Sequence, residues 1–205
     1  MVDDGWDAGA RAVVLVEGVS DRVALEVLAR RRGLDLAGEG VRLVAMDGIT
    51  NIGHFLERHP APGPAAGHPR AAATLVAGLY DDAEERVVRR ALERAGRGPE
   101  PGPEGLEALG FFGCSADLED ELIRALGPAE VVRLVEAEGQ LRSFRTLQKQ
   151  PAQRERSLHD QLRRLMGGRS GGKERYAAAM AGAVPLERVP RPLDAVLEHV
   201  YSKGR

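Results

Sequence analysis

Ala12-Val13-Val14-Leu15-Val16-Glu17-Gly18-Val19-Ser20-Asp21 is the stretch on which the reading of this chain turns. Five consecutive apolar residues, stopped by a carboxylate and a glycine, are the pattern of a strand buried on both faces, as parallel sheets require. The residues that follow predict a helix over 21–32, with Val23, Ala24, Val27 and Leu28 on one face and Gly33 as its stop signal. Glu17 then stands at the C-terminal end of a strand, beside a turn glycine, where open α/β sheets place their chemistry. A carboxylate directly after five apolar residues faces desolvation unless something pairs with it. Asp21, four residues on, suggests that the pairing is to a metal ion. The plain alternative for Asp21 is a first-turn acid behind a Ser20 N-cap.

Outward from this stretch, strand and helix signals alternate. Residues 41–46 read as a second strand and Asp47-Gly48 as a turn. Residues 51–59 read as a short helix, and a linker with Pro60, Pro62, Pro64 and Pro69 follows. Residues 72–79 read as a third strand, 82–95 as a helix, 96–105 as a Pro/Gly loop and 110–114 as a short fourth strand. From Asp117 the pattern is helical, in segments near 117–126, 128–138, 139–149, 153–166, 173–182 and 193–201. The expected fold class is α/β: a mostly parallel, doubly wound, Rossmann-like sheet of about four strands with a helical C-terminal extension. The expected division is a core over 1–127 and a helical extension over 128–205 packed on it.

Composition narrows the function. At 205 residues and 43% hydrophobic the chain can bury one good core, built by aliphatic packing because aromatics are only 4%. A single cysteine, Cys114, excludes an intrachain disulfide and a multi-cysteine zinc cluster and fits a reducing cytoplasm. No apolar run approaches a membrane span, and Asp3, Asp4 and Asp7 are unlike a signal peptide, so a cytoplasmic protein without a membrane partner is expected. The net charge of −2 argues against a protein that coats nucleic acid, but the charges are segregated. Residues 77–139 hold 15 acids and 7 basic residues, whereas 141–175 hold 10 basic residues and 3 acids. One reading is solvated helix faces; the other is an acidic cation site beside a basic surface for a phosphate backbone.

The acids converge on one edge of the predicted sheet. Glu17 ends the first strand and Asp81 the third, so parallel strands bring both to the same side. Asp117, Glu119, Asp120 and Glu121 follow the fourth strand and can approach it, although a solvated face is the plain reading for most of them. Asp82 reads as a helix N-cap. Hard cations such as Mg²⁺ take oxygen ligands, one or two carboxylates each. His54, His59 and His68 lack zinc-type spacing and read as surface residues. Cys114 reads as a small core residue. Gly167-Gly168-Arg169-Ser170-Gly171-Gly172-Lys173 fits G-x-x-x-x-G-K, but Glu174 stands where a phosphate-binding loop needs Ser or Thr, and a helix rather than a strand precedes it.

Taken in order, four segments resemble the TOPRIM domain of the OLD-family (overcoming lysogenization defect) nucleases. They are Val14-Leu15-Val16-Glu17-Gly18-Val19-Ser20-Asp21, Leu79-Tyr80-Asp81, Ala116-Asp117-Leu118-Glu119-Asp120 and Gly172-Lys173-Glu174-Arg175-Tyr176-Ala177. The resemblance implies a nuclease site using Mg²⁺ or Mn²⁺, with two ions. It implies Glu17, Asp21, Asp81 and Glu119 as metal ligands, Ser115 or Asp117 as a further candidate, and Glu17 and Lys173 as catalytic residues. Lys173 would stabilise charge developing on the phosphate or the leaving oxygen. Gly48 and Asn51 fall where family members have a glycine-rich loop. Two departures stand out. The general TOPRIM pattern has Asp-x-Asp at the third strand, but this chain reads Asp81-Asp82-Ala83, with Glu84 and Glu85 following. Full-length OLD proteins also carry an ATPase domain ahead of TOPRIM, so either a separate ATPase partner supplies ATP control or that control is absent.

The expected function is metal-dependent cleavage or nicking of DNA by a two-metal mechanism. Arg142, Arg145, Lys149, Arg154, Arg156, Arg163, Arg164 and Arg169 would hold the nucleic-acid backbone. The alternatives are a weak or inactive TOPRIM-like subunit that binds nucleic acid or an ATPase, and a phosphoacceptor receiver-like domain built on Asp81.

Overall fold

A computed structural model describes residues 9–59, 74–98, 100, 102–168 and 172–202. Four strands form one sheet: β1 (Ala12–Val16), β2 (Val41–Ala45), β3 (Leu75–Asp81) and β4 (Phe111–Cys114). Their spatial order is β2-β1-β3-β4 and every pairing is parallel. The chain leaves β1 toward β2 on one side and later returns to place β3 on the other. β1 and β3 therefore flank a point where the winding reverses, and open α/β sheets bind ligands in the crevice there. In register, Leu15 faces Gly78 and Asp81 faces Cys114, so all four strands end along one edge.

Alternation along β1 feeds two cores. Ala12, Val14 and Val16 pack with helices α1 (Val19–Arg31), α5 (Leu118–Leu126), α6 (Pro128–Ala137), α7 (Leu141–Gln148), α8 (Leu158–Gly167), α9 (Gly172–Ala183) and α10 (Arg191–Ser202). Val13 and Leu15 pack with α2 (Ile52–Arg58), α3 (Glu85–Arg94) and α4 (Pro103–Ala108). The C-terminal helices thus complete the main core: Tyr176, Met180, Val196 and Val200 are all 2% exposed or less. Gly78 lets β1, β3 and β4 approach closely, because a Cβ there would lie 2.9 Å from the Leu15 carbonyl oxygen and from the Phe111 ring.

α1 and α9 run side by side in the same direction, both starting at the strand-end edge. At their far ends the Arg31 guanidinium donates to the Ala181 and Val184 carbonyls at 2.7 and 2.6 Å, satisfying acceptors that a helix end leaves open. Arg32 pairs with Asp194 at 2.5 Å, and Arg11 donates to the Val200 carbonyl at 3.0 Å. The C-terminal helices are thereby tied to the sheet by polar contacts as well as by packing.

Several local expectations change. α1 begins at Val19 with Gly18 as its N-cap, so Ser20 lies inside the first turn. Its buried face is Ala24, Leu25, Leu28 and Ala29, because α9 packs one residue round from the expected stripe of Val23 and Val27. The 96–105 loop gives way to α4 at Pro103, where proline suits a first helical turn. α8 starts at Leu158, capped by Ser157, whose hydroxyl accepts from the Asp160 N–H. His59 is buried at 8% exposure rather than at the surface, and His68 lies outside the described residues. No helix among the described residues is long and apolar enough to cross a membrane.

Candidate metal centre

The strand ends deliver the acids. Glu17 follows β1 directly, and its carbonyl accepts from the Gly48 N–H at 3.0 Å, which holds the loop after β2 against the end of β1. Asn51 fastens that loop from behind, donating to the Met46 and Asp47 carbonyls at 2.8 and 3.2 Å. Asp47 and Gly48 both have positive φ, 56° and 112°, so the chain turns sharply there and brings Asp47 to the site. Asp81 is the last residue of β3. The chain then enters a 3₁₀ turn, Asp82–Glu84, in which residues three apart eclipse one another. That turn carries Glu84 back over Asp81. One carboxylate oxygen from each of Glu17, Asp81 and Glu84 lies within 4.8 Å of the others.

Glu84 is the site residue that the sequence reading missed. The acid absent from position 83 is supplied one residue later, and the available signal was the spacing Asp81-x-x-Glu84 across a tight turn. Asp82 does not cap a helix with its side chain; Asp81 holds the N-cap position of the turn.

A cavity of about 470 Å³ opens over this cluster. Asp21, Asp47, Asp117, Glu119 and Lys173 join Glu17 and Asp81 in its lining. Asp21 sits in the first turn of α1 and accepts from the Gly18 N–H at 2.9 Å, which leaves its second oxygen for the cavity. Glu119 comes from the first turn of α5 and is only 5% exposed. Lys173, in the first turn of α9, extends from the opposite wall with its side chain 57% exposed. Its ammonium lies 3.5 Å from Glu119 Oε1, an ion pair at the outer limit of a hydrogen bond. Arg169 of the intervening loop lies outside the described residues.

Crowded carboxylates in a partly dry crevice resist ionisation. Burial first, then the charges of Glu17, Asp21, Asp117 and Glu84, push Asp81 up to about 7. Burial likewise raises Asp21 to about 6, with the Gly18 N–H working against it and Glu119 and Glu17 adding to it. Glu84 rises to about 7 through burial, the Glu17 charge and a hydrogen bond shared with Glu17. For Lys173 burial works the other way, but Glu119 and Asp117 outweigh it and hold the ammonium above its ordinary value.

One buried oxygen, Glu84 Oε2, has no hydrogen-bond partner, and Glu119 Oε1 has only the long ion pair to the Lys173 ammonium. Poorly satisfied carboxylate oxygens, set among like charges that repel one another, fit hard divalent cations. The residues present therefore suit Mg²⁺ or Mn²⁺.

The other acids of α5 are engaged elsewhere. Asp117 caps the helix by accepting from the Asp120 N–H at 2.8 Å and is ion-paired to Arg163 of α8. Asp120 pairs with Arg124 at 2.6 Å and with His159 at 2.7 Å, which holds its carboxyl below the ordinary range against the effect of burial. Glu121 is buried, accepts from the Ser115 N–H at 2.8 Å and pairs with Arg124. A solvated acidic face is thus replaced by an ion-paired seam between α5 and α8. Cys114 is buried at 2% exposure, and burial pushes its thiol far up, which removes it as a nucleophile.

The predicted backbone-binding residues fall into groups. Arg142, Arg145, Lys149, Arg154, Arg156 and Arg164 are exposed, whereas Arg163 is partly buried against Asp117. Arg145 donates to Gln148, and Arg154 and Arg156 donate to the Lys149 and Ala152 carbonyls of their own loop.

Comparison with known proteins agrees with this geometry. The family model described as overcoming lysogenization defect protein-like, TOPRIM domain, matches residues 10–58, the segment holding Glu17, Asp21, Gly48 and Asn51. The C-terminal region of the Xanthomonas campestris pv. campestris OLD protein, in its mercury-phased structure, superposes with a TM-score of 0.70 at 22% identity, covering 96% of this chain and 97% of that one. The C-terminal region of the Burkholderia pseudomallei OLD protein gives 0.69 at 23% identity, covering 96% and 99%. A search of curated proteins returns no match. Residues 10–58 thus match the OLD-like TOPRIM model, and the chain has, along nearly its whole length, the fold of the C-terminal regions of OLD proteins.

Proposed function

We propose that this protein is a metal-dependent phosphodiester hydrolase that cleaves or nicks DNA at the strand-end edge. The observation that carries the reading is the convergence of Glu17, Asp81 and Glu84 within 4.8 Å at the point where the sheet reverses its winding. Glu17, Asp81 and Glu84 form one candidate cation site, and Asp21 and Glu119, on facing helix starts, form the candidate second. Divalent ions held there would stabilise the attacking and leaving oxygens of an in-line displacement. The chain's own groups supply the rest. Lys173 stands over the cavity mouth as an obligate cation, and a phosphate entering between it and the carboxylates would exchange Glu119 for a substrate oxygen as its partner. The Gly48 loop, locked by Asn51, keeps Glu17 from turning away. The exposed arginines of α7, α8 and the connecting loop carry the positive charge that a nucleic-acid backbone needs.

The test is conversion of supercoiled plasmid to nicked or linear form in Mn²⁺ or Mg²⁺. Activity is expected in the wild type, and loss of at least about 10²-fold in Glu17→Ala and Asp81→Ala. Lys173→Ala should lose a similar factor in rate while Mn²⁺ binding by calorimetry is kept or strengthened, because Glu119 is freed; removing one stabiliser of transition-state charge costs about 10²–10³-fold. A wild-type protein that leaves supercoiled and single-stranded DNA intact in both ions refutes the proposal.

A further inference from the structure

The surface of α7 and α8 carries a second depression, and its chemistry is the opposite of the first. It encloses about 420 Å³ between the two helices, with Arg142 and Thr146 on one wall and Arg164 and Gly168 on the other. Leu165 of the main core and Leu147, which packs against that core, also line it. Among the described residues its lining holds no carboxylate, in a chain with 31 acids. Arg142 and Arg164 are also set apart from their basic neighbours. Arg163 is ion-paired to Asp117, and the Arg145, Arg154 and Arg156 side chains donate hydrogen bonds to neutral acceptors nearby, whereas among the described residues neither groove arginine has an ion pair or a side-chain hydrogen bond. Two exposed guanidiniums facing each other across a groove without a counter-charge repel, and an anion between them relieves that repulsion.

The position of the groove indicates which anion. Arg163 and Arg164 are adjacent on α8; the first reaches Asp117 at the acidic cavity, and the second lines the groove. Gly168 lines the groove, and α9 begins at Gly172 with Lys173 at the acidic cavity. Gly168 and Lys173 are five residues apart in sequence, a span of at most about 18 Å. That is about five nucleotides of helical rise at 3.4 Å per strand. A strand with one phosphodiester at the acidic edge therefore reaches the groove with a phosphate a few nucleotides away.

We infer that the α7–α8 groove is a backbone subsite for a nucleic-acid strand, in which Arg142 and Arg164 grip one phosphate flanking the scissile bond. The inference rests on the proposed hydrolase only for what happens at the acidic edge; binding in the groove needs neither metal nor turnover. Of the eight predicted basic residues it singles out two for a direct phosphate contact, and leaves the other exposed ones to the general positive field of this face.

The test is fluorescence anisotropy of a labelled DNA duplex in EDTA, across a salt series, on the full chain. The wild type should bind, and Arg142→Glu/Arg164→Glu should bind at least about tenfold more weakly, with a salt slope shallower by about one, as expected for one lost phosphate contact. Arg86→Glu/Arg90→Glu, an equal charge change on α3 beneath the other face of the sheet, should move neither value by more than a third as much. Should the double reversal fail to fold by circular dichroism, Arg142→Gln/Arg164→Gln is read in its place, with the same loss of slope expected. Equal losses in the groove and α3 variants, no binding by the wild type, or displacement of DNA by millimolar inorganic phosphate at matched ionic strength would each overturn the inference. Mn²⁺-dependent hydrolysis of bis(p-nitrophenyl) phosphate by the wild type, too small to reach the groove, reports on the acidic edge alone. Failure there with DNA binding intact condemns the hydrolase and not the groove.

Discussion

Removing divalent ions and raising the pH from 5 to 8 should destabilise this protein, and the structure gives the size of the effect. Asp21 titrates at about 6 in the folded chain against 3.8 in its unperturbed form, and Asp81 at about 7 against 3.8. Both folded values lie above the unfolded ones, so the folded state holds more protons between those limits. Stability is then fully present below about pH 4 and is lost as pH rises through 6 and 7. For Asp21, which is deeply buried, the shift is worth about 3 kcal/mol at 1.36 kcal/mol per unit. Asp81 is more exposed, so its larger shift is discounted by solvent screening to about 1–2 kcal/mol. About half of the total is already lost by pH 5, leaving about 2–3 kcal/mol across the window, or about 8 °C in Tm for a chain of this size. Mg²⁺ binds the ionised carboxylates and should restore about 2.7 kcal/mol at a hundredfold excess over its Kd. Asp21→Asn keeps an acceptor for the Gly18 N–H while removing the charge, so its Tm in EDTA should exceed that of the wild type at pH 8 and match it only below about pH 4. Thermal melts followed by circular dichroism in EDTA and in Mg²⁺ decide the matter. A Tm in EDTA that stays level or rises from pH 5 to 8, or one that Mg²⁺ does not recover, refutes the reasoning.

Other perturbations separate the site from its scaffold. Glu84→Gln should leave the fold intact and weaken Mn²⁺ binding about tenfold by calorimetry; unchanged affinity would remove Glu84 from the cation site. Gly78→Ala drives a methyl group to 2.9 Å from the Leu15 carbonyl oxygen and the Phe111 ring. Overpacking of that kind costs about 1–3 kcal/mol, so its urea midpoint should fall, and an unchanged midpoint would mean that β1, β3 and β4 can spread without cost.

The parts of the site visible in sequence are those fixed by a strand end. Glu17 and Asp81 could be placed because an apolar run fixes where each strand stops and parallel strands stop on one side. The fold class followed from the same alternation. Glu84 escaped because its placement depends on a 3₁₀ turn after β3, where the sequence suggested the start of a regular helix. Asp120 and Glu121 looked solvated because their partners differ in kind: Arg124 is local, but His159 lies 39 residues away on α8. The burial of α1 was misjudged by one step round the helix because the neighbour that selects its buried face, α9, is about 150 residues distant. Local spacing predicts elements well; it carries no information about which face a distant helix will cover.

The Arg31 clamp has a consequence at the opposite end of the molecule. α9 has 12 residues, so at 1.5 Å per residue its two ends are about 18 Å apart. Arg31 grips carbonyls near one end, and Lys173 projects from the other. Sliding of α9 along its axis would break both guanidinium hydrogen bonds. A slip of a single residue would move the Lys173 ammonium by about 1.5 Å, and in an enzyme a displacement of about 1 Å can cost 10²-fold in rate. In the proposed hydrolase, an arginine at the far end of α9 would thus help to fix where Lys173 stands.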